Sequence, residues 1–271
     1  MAYMKEISEI FPFMTEVLHV KAPFNPKEIN FAADCCQFDN PKKLIGIKDK
    51  YIQIQGNFLQ SYKFFHHFEH EIREILKCAP KIQASIDKFA ENLFKNDKNH
   101  KMCVYVRRGD FLSDLMLESK EDFVMPAVKF AAKFVKNRDQ NINLSTIIFG
   151  NDPEFIKNLP LDEIGNLQKV YYPQSQSRGE DMCFAIKYCD SMVLTASGST
   201  FGWWMSYLMK PGSHIFYNSQ ITDFANHSKD MHDFDIFPPH WHMLTVEKDK
   251  ARLESKWWYQ RHHTLPDINN N

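Results

Sequence analysis

Val104-Tyr105-Val106-Arg107-Arg108-Gly109-Asp110 has the shape of an apolar strand that delivers two arginines, a glycine and an aspartate at its carboxyl end. In open α/β sheets, ligands bind outside the carboxyl ends of strands. A guanidinium fork placed there suits a diphosphate, because its rigid donors pair bidentately with phosphate oxygens. The spacing alone serves equally well for a strand that ends in a solvated, salt-bridged turn. The run also spells Arg108-Gly109-Asp110, an adhesion-type tripeptide. That role needs an exposed loop tip, which the end of an apolar strand fits poorly.

Working outward, the pattern after residue 100 is α/β. Strands are expected at Met102–Arg107, Ser145–Phe149, Lys169–Tyr172, Met192–Leu194 and His214–Tyr217. Helices are expected between them at Asp122–Val135, Pro153–Asn158, Glu180–Tyr188 and Thr200–Met209. Strands that alternate with helices imply a parallel, Rossmann-like sheet. Before residue 100, Lys42–Ile54 has room for two short strands, and residues 61–95 carry apolar residues at helical spacing, divided at Pro80. The polar run Asn96–His100 is the best boundary. The expected domains are therefore 1–97, helix-rich and on the acceptor side; 98–250, Rossmann-like; and 251–271, a tail.

Composition narrows the function. Of 271 residues, 44% are hydrophobic and 25% charged, which suits a folded globular chain. A net charge of −1 offers no field for nucleic acid or an anionic membrane, so any phosphate site must be local. No G-x-G-x-x-G and no Walker loop occurs, which argues against ordinary NAD and ATP enzymes. None of the six cysteines forms a C-x-x-C pair, so a structural zinc is not expected. Cys103 and Cys183 read as small buried hydrophobes. The even count permits disulfides. The sequons at Asn143 and Asn226 point weakly toward a secretory compartment. The amino-terminal stretch lacks the layout of a signal peptide, and no apolar run approaches the roughly 20 residues that span a bilayer.

Three further strand ends converge with the arginine turn in such a sheet. Phe149-Gly150-Asn151-Asp152 offers a tight turn, and Asp152 either meets ligand hydroxyls or caps the next helix. Asp181 falls in the first turn of a helix, where the dipole favours a carboxylate, and suits a purine or a sugar hydroxyl as well. In Ser197-Gly198-Ser199-Thr200-Phe201-Gly202-Trp203-Trp204, a strand gives way to hydroxyl residues and a helix start, a ready anion site. Ser199 or Thr200 also serves as an ordinary cap there, with both tryptophans in the core. Asp233-Phe234-Asp235 and the pairs His66-His67 and His262-His263 read as structural, and no metal site is expected from them.

Together these blocks resemble the α-1,2-fucosyltransferases, the family 11 glycosyltransferases. The family motif H-V-R-R-G-D is similar to Tyr105–Asp110. The family block D-F-A-L-L-x-x-C, followed by G-T-F-G-x-W-x-A-Y-L, is similar to Asp181–Cys189 with Gly198–Leu208. Phe64–Phe68 with Ile72-Arg73, and Phe237–Trp241, are similar to two shorter family segments, so the likeness runs from about residue 55 to 245. Two departures accompany it: Tyr105 replaces the motif histidine, and the family's G-L-G-N-Q-x-F-Q opening is absent.

The resemblance implies a GT-B-like fold with an incomplete, helix-rich amino-terminal domain. It implies inverting, metal-independent transfer of fucose from GDP-fucose to the 2-hydroxyl of a galactose-terminated glycan, with no further cofactor. Arg107 and Asp110 are the implied catalytic residues. Arg107, Arg108, Asp152, Asp181, Ser199, Thr200 and Phe201 are the implied donor contacts. It also implies the Golgi, with membrane attachment only through a segment this chain lacks. Two readings stand beside it: a non-catalytic GDP-sugar-binding relic, and a fucosyltransferase of the α-1,6 or protein-O type.

Overall fold

A computed structural model describes residues 2–17, 25–56, 58–112, 116–165, 167–174, 176–222 and 231–263. The chain falls into two compact units: Met1–Lys77 with Phe224–His240 and Lys256–Asn271, and Cys78–Asp223 with Trp241–Ser255.

In the first unit, α1 (Ala2–Ile10) and the short α2 (Met14–Val17) precede β1 (Lys27–Asn30) and β2 (Ile52–Gln55). β1 and β2 pair in parallel, Lys27 opposite Ile52. Residues 62–68, expected to open a long helix, form two 3-10 turns before α3 (Glu69–Ile75). Two single-turn helices complete the unit, and α9 (Asp233–Ile236) and α10 (Trp258–His262) are tied by Asp233. Its carboxylate accepts the amides of Trp258 at 2.5 Å and Tyr259 at 3.1 Å. Asp235 accepts from Lys63 at 2.5 Å and from the Phe38 amide at 2.9 Å. Both acids of the D-x-D are thus held by internal bonds.

The second unit is a seven-stranded sheet. It contains α4 (Pro80–Phe94), β3 (His100–Val106), α5 (Glu121–Arg138), β4 (Leu144–Gly150), α6 (Pro153–Asn158), β5 (Lys169–Tyr171), α7 (Arg178–Tyr188) and β6 (Ser191–Leu194). Then come α8 (Thr200–Tyr207), β7 (His214–Asn218), β8 (His242–Glu247) and β9 (Lys250–Leu253). The strand order is β5-β4-β3-β6-β7-β8-β9, parallel throughout except for the antiparallel β8–β9 edge. The expected parallel α/β sheet is therefore present, extended by two strands that the sequence pattern did not reveal. α4, expected in the amino-terminal domain, packs on α7 in the sheet unit.

Both faces of β3 are covered, which is why Met102–Val106 reads as an unbroken apolar run. Met102, Val104 and Val106 meet Val124, Ala127, Val128 and Ala131 of α5 in the main core. Cys103 and Tyr105 point to the opposite face, toward α7 and α8. There Cys103 is bonded to Cys189, and Cys183 of α7 to Cys78 just before α4. The two cysteines are buried as expected, but as halves of disulfides rather than as small hydrophobes. No helix among the described residues is long and apolar enough to cross a membrane.

The strand order has one consequence for function. β3 connects to β4 on one side, while β6 flanks its other side. The order therefore reverses between β3 and β6, and the carboxyl ends of these two strands border the crevice where such sheets bind ligands.

Candidate functional site

The two loops that leave the switch point carry Arg107–Asp110 and Thr195–Thr200, and a ladder of hydroxyls welds them together. The Arg107 amide donates to Ser119 Oγ at 2.9 Å. Ser119 Oγ lies 2.6 Å from Thr195 Oγ1, and Thr195 donates to the Tyr105 carbonyl at 2.7 Å. Since a carbonyl only accepts, the protons run in one direction, from Arg107 through Ser119 and Thr195 to Tyr105. The Ser119 amide returns a bond to the Arg107 carbonyl at 2.9 Å. Ser119 and Thr195 are wholly buried. A satisfied buried network of this kind fixes the backbone on which the arginines stand.

The consecutive arginines have opposite fates. Arg108 is locked inside the turn. Its Nε donates to Asp152 at 3.0 Å, its Nη1 to the Ser119 carbonyl at 2.7 Å, and its guanidinium lies 4.3 Å from the Phe155 ring centre. Asp152 also caps α6 through the Phe155 amide at 3.0 Å. Asn151 brackets the Arg108 backbone, accepting from its amide at 2.8 Å and donating to its carbonyl at 3.2 Å. Gly109 follows with φ +60°, a left-handed turn that an added Cβ would drive to 2.9 Å from Asn151 Nδ2. With Arg108 committed to Asp152 and Ser119, Arg108-Gly109-Asp110 is not an adhesion loop.

Arg107 faces the other way. Its Nη2 donates to Asp110 Oδ2 at 2.8 Å, and its Nε is buried without a hydrogen-bond partner. Burial works against its charge, but Asp110 and the Tyr105 side chain hold the guanidinium protonated. The Asp110 side chain is 61% exposed, so this pair is a surface latch that a ligand can displace at little cost.

Across the switch point, Ser199 caps α8 by accepting the Gly202 amide at 3.2 Å. Thr200 is exposed, and the half-buried ring of Phe201 lies 5.8 Å from that of Tyr105. Ser197, just ahead, is 3% exposed, and its Oγ is buried with no partner. A buried polar atom without a partner costs about 1–3 kcal/mol and calls for an explanation. Here two such atoms, Arg107 Nε and Ser197 Oγ, follow neighbouring strands. Trp203 is core, stacked on Tyr207 at 4.9 Å, as its helical position suggests.

Asp181 stands in the first turn of α7, accepting from the Gln176 amide at 3.0 Å behind the Ser177–Glu180 capping box. It borders a small recess with Phe149, Pro173 and Phe184. The structure thus gathers Arg107, Asp110, Ser199, Thr200 and Phe201 around the β3–β6 switch. Asp181 sits over the β4–β5 side, and Arg108 with Asp152 forms the internal frame. The sequence reading missed Ser119 and Thr195, which belong to no motif, whereas Asn151 and Ser197 stood within the strand-end runs it singled out. Among the described residues, no group of three or more His, Cys, Asp or Glu side chains is placed to hold a metal ion.

These elements lie within the stretch that matches known proteins. Two galactoside 2-alpha-L-fucosyltransferases of Caenorhabditis elegans are 28% and 27% identical to this chain, over 79% and 81% of it. The matches cover 58% and 60% of those proteins, so the chain spans well under two thirds of their length. Among solved structures, the alpha-1,6-fucosyltransferase NodZ soaked with GDP-fucose is 16% identical, with a TM-score of 0.38 over 60% of this chain and 52% of that one. The fucosyltransferase NodZ from Bradyrhizobium is 15% identical with the same TM-score, over 60% and 53%. The family description "Glycosyl transferase family 11" matches residues 10–245, most of the sequence and all of the strand-end elements, and the chain belongs to that family.

Proposed function

We propose that the β3–β6 crevice binds GDP-fucose and that the protein transfers fucose, with inversion, to the 2-hydroxyl of a galactose-terminated glycan. The observation that carries this reading is the pair of orphaned buried polar atoms, Arg107 Nε and Ser197 Oγ, at the two sides of the switch point. A diphosphate that displaces the exposed Asp110 from Arg107 Nη2 supplies acceptors to the guanidinium fork. Arg107 clamps the β-phosphate, while Ser197, Ser199, Thr200 and the backbone at Phe201 hold phosphate oxygens at the positive end of α8. Asp181 accepts from the guanine or the ribose. Arg108 and Asp152 act behind them by holding the turn.

In the transfer, the acceptor oxygen bonds to C1 of fucose as the bond from C1 to the β-phosphate oxygen breaks. The electron pair leaves with GDP, and the acceptor proton passes to a carboxylate, for which Asp110 is the candidate at this strand end. Negative charge grows on the phosphate during this step. A fixed arginine and helix start stabilise it without reorganising, commonly the largest catalytic contribution. They supply positive charge at the diphosphate, so we propose that no metal is required. We propose an oxidising secretory lumen as the working compartment, a reading that the two disulfides, Cys78–Cys183 and Cys103–Cys189, support.

The test is calorimetric titration with GDP in EDTA, followed by a transfer assay with GDP-fucose and a terminal galactoside. Arg107→Ala should weaken GDP binding at least tenfold and lower turnover by about 100-fold or more. Wild-type protein that ignores GDP, or an Arg107→Ala variant that binds it normally, refutes the donor site. Binding without transfer refutes the catalytic part alone.

A further inference from the structure

The donor site leaves the sequon Asn143-Leu144-Ser145 unexplained, and the structure places all three of its residues. Asn143 is exposed immediately ahead of β4, whereas Leu144 and Ser145 are wholly buried in the strand. The Asn143 carbonyl accepts the His100 amide at 2.9 Å, and its side-chain Oδ1 accepts from Gln168 Nε2 at 2.7 Å. A carboxamide has an acceptor end and a donor end. The fold uses the acceptor end of Asn143, and its Nδ2 donates to no group among the described residues. Nδ2 is the atom that N-glycosylation substitutes, and here it is the one the fold leaves over.

We propose that Asn143 carries an N-linked glycan, attached before β4 joins the sheet. The inference rests on the lumenal compartment proposed above. In the modification, Asn143 Nδ2 bonds to C1 of the first sugar of a lipid-diphosphate-linked oligosaccharide as the bond from C1 to the phosphate oxygen breaks. The electron pair leaves with the lipid diphosphate, and one amide proton passes to a base of the transferase. A substituted Nδ2 keeps its Oδ1, so the bond from Gln168 survives. The order of events follows from Ser145, whose hydroxyl completes the sequon. In the folded protein its Oγ donates to Asp97 Oδ2 at 2.6 Å and accepts from Asn99 Nδ2 at 3.0 Å, with no surface exposed. A transferase can read that hydroxyl only while the strand is unfolded. Once attached, the glycan stands at the amino end of β4. β3 and β4 are parallel, His100 opposite Leu144, so this end lies opposite the one that carries Arg107. A bulky, hydrated group there leaves the donor crevice open.

The experiment secretes the full chain from animal cells behind a cleavable leader. The product is treated with a peptide-N-glycosidase in heavy-oxygen water, and the tryptic peptide Asp139–Lys157 is read by mass. Release of a glycan converts Asn143 into an isotopically marked aspartate, which is the expected result. In an Asn226→Gln background, which removes the other sequon, Asn143→Gln should abolish the mobility shift on a denaturing gel and leave GDP affinity unchanged. A bare Asn143 in the wild type overturns the proposal, whether or not the variant folds. Alkylation of the same sample separates this from failure of the compartment reading. A bare Asn143 beside protected Cys78, Cys103, Cys183 and Cys189 overturns the glycan alone, whereas four alkylated cysteines overturn the lumenal reading and the proposal with it. For the timing, translation into microsomes should attach the glycan, and folded, glycan-free protein offered to the same membranes opened with detergent should stay bare. A folded chain that accepts the glycan overturns the order of events, and weakened GDP binding in Asn143→Gln overturns its placement away from the crevice.

Discussion

Asp97→Ala should be among the most damaging single substitutions in the sheet unit, although the residue lies in a run that looks like a linker. The Asp97 side chain is 1% exposed, and that of its partner Lys101, 3.3 Å away, is 7% exposed. Its Oδ2 accepts from Ser145 at 2.6 Å and from the Tyr171 hydroxyl at 2.7 Å, and its Oδ1 accepts the Asn99 amide at 2.8 Å. One carboxylate thus joins the edge of β3 to β4 and β5. Removing it orphans three donors and strips a buried ammonium of its counter-charge, a loss of about 3–5 kcal/mol. Lys101 keeps two carbonyl acceptors, Asp97 O at 2.9 Å and Asn99 O at 2.6 Å, which favours the lower end of that range. A loss near 3 kcal/mol is still a large part of the roughly 5–15 kcal/mol that holds a domain together.

Burial alone would raise the Asp97 pKa. The hydrogen bonds from Ser145, Asn99 and Tyr171 and the charge of Lys101 outweigh it and hold the carboxyl well below its usual range. Its stabilising contribution is therefore complete above about pH 4 and is lost as the pH falls through the folded-state value. Urea unfolding of the wild type, Asp97→Ala and Asp97→Asn at pH 7 and pH 3.5 measures both effects. Each variant should lose stability at pH 7, the alanine most, and the gap should narrow in acid. GDP affinity per folded molecule should not change, since Asp97 precedes β3 at the edge of the sheet opposite the strand ends. A loss below 1 kcal/mol for Asp97→Ala at pH 7 would refute the reasoning.

Two other perturbations test separate parts of the molecule. Gly202→Ala gains about 1 kcal/mol of helix propensity, but its methyl would sit 2.8 Å and 3.0 Å from Tyr105 and 3.1 Å from Leu194. Overpacking of that kind costs about 1–3 kcal/mol, so a net loss in urea unfolding together with weaker GDP binding is expected, and a more stable variant contradicts it. Asp233 is the pH-sensitive acid of the other unit, where burial pushes its carboxyl up to about 6. A raised acid stabilises the fold while it is protonated, so this contribution is full below about pH 4 and is lost as the pH rises through 6, by about 3 kcal/mol in all. Neighbouring Asp235 works the other way: burial raises it, but bonds from His232, Lys63 and the Phe38 amide hold it below its ordinary value. Asp233→Asn should flatten the fall in melting temperature between pH 4.5 and 7, and an unaltered profile would assign that fall to another group.

How much of this was legible in the sequence depended on how local the cause was. Strands buried on both faces are continuous apolar runs, so β3, β4, β6 and β7 announce themselves. β8 and β9 do not: β9 is an edge strand, short and half polar in Lys250–Leu253, and β8 buries only Met243 and Leu244 fully along His242–Glu247. Residues 62–68 have helical apolar spacing, yet aromatic packing draws them into 3-10 turns, with Phe64 ringed by Phe31 at 5.9 Å and Phe38 at 5.0 Å. Asp97 could not be read as a buried anchor because Ser145 and Tyr171 lie 48 and 74 residues away along the chain.

The arginine pair shows the same limit at the candidate site. The sequence offered both arginines as donor contacts, whereas the structure turns one inward and leaves the other toward the ligand side. Which is which is decided by Asp152, 44 residues beyond Arg108, and by Ser119 in a loop with no motif of its own. Once Arg108 is consumed by those partners, only Arg107 retains a buried donor for a ligand. Tyr105 then becomes intelligible as well. A strand residue two before Arg107 shares its face, so whatever occupies that position touches the functional arginine and not the structural one. Replacing the motif histidine by tyrosine therefore changes the environment of the single side chain on which the proposed donor site depends. Gly202, which makes room for the larger ring, is also the last glycine of the family's G-T-F-G block, so the altered position uses space that the block already provides.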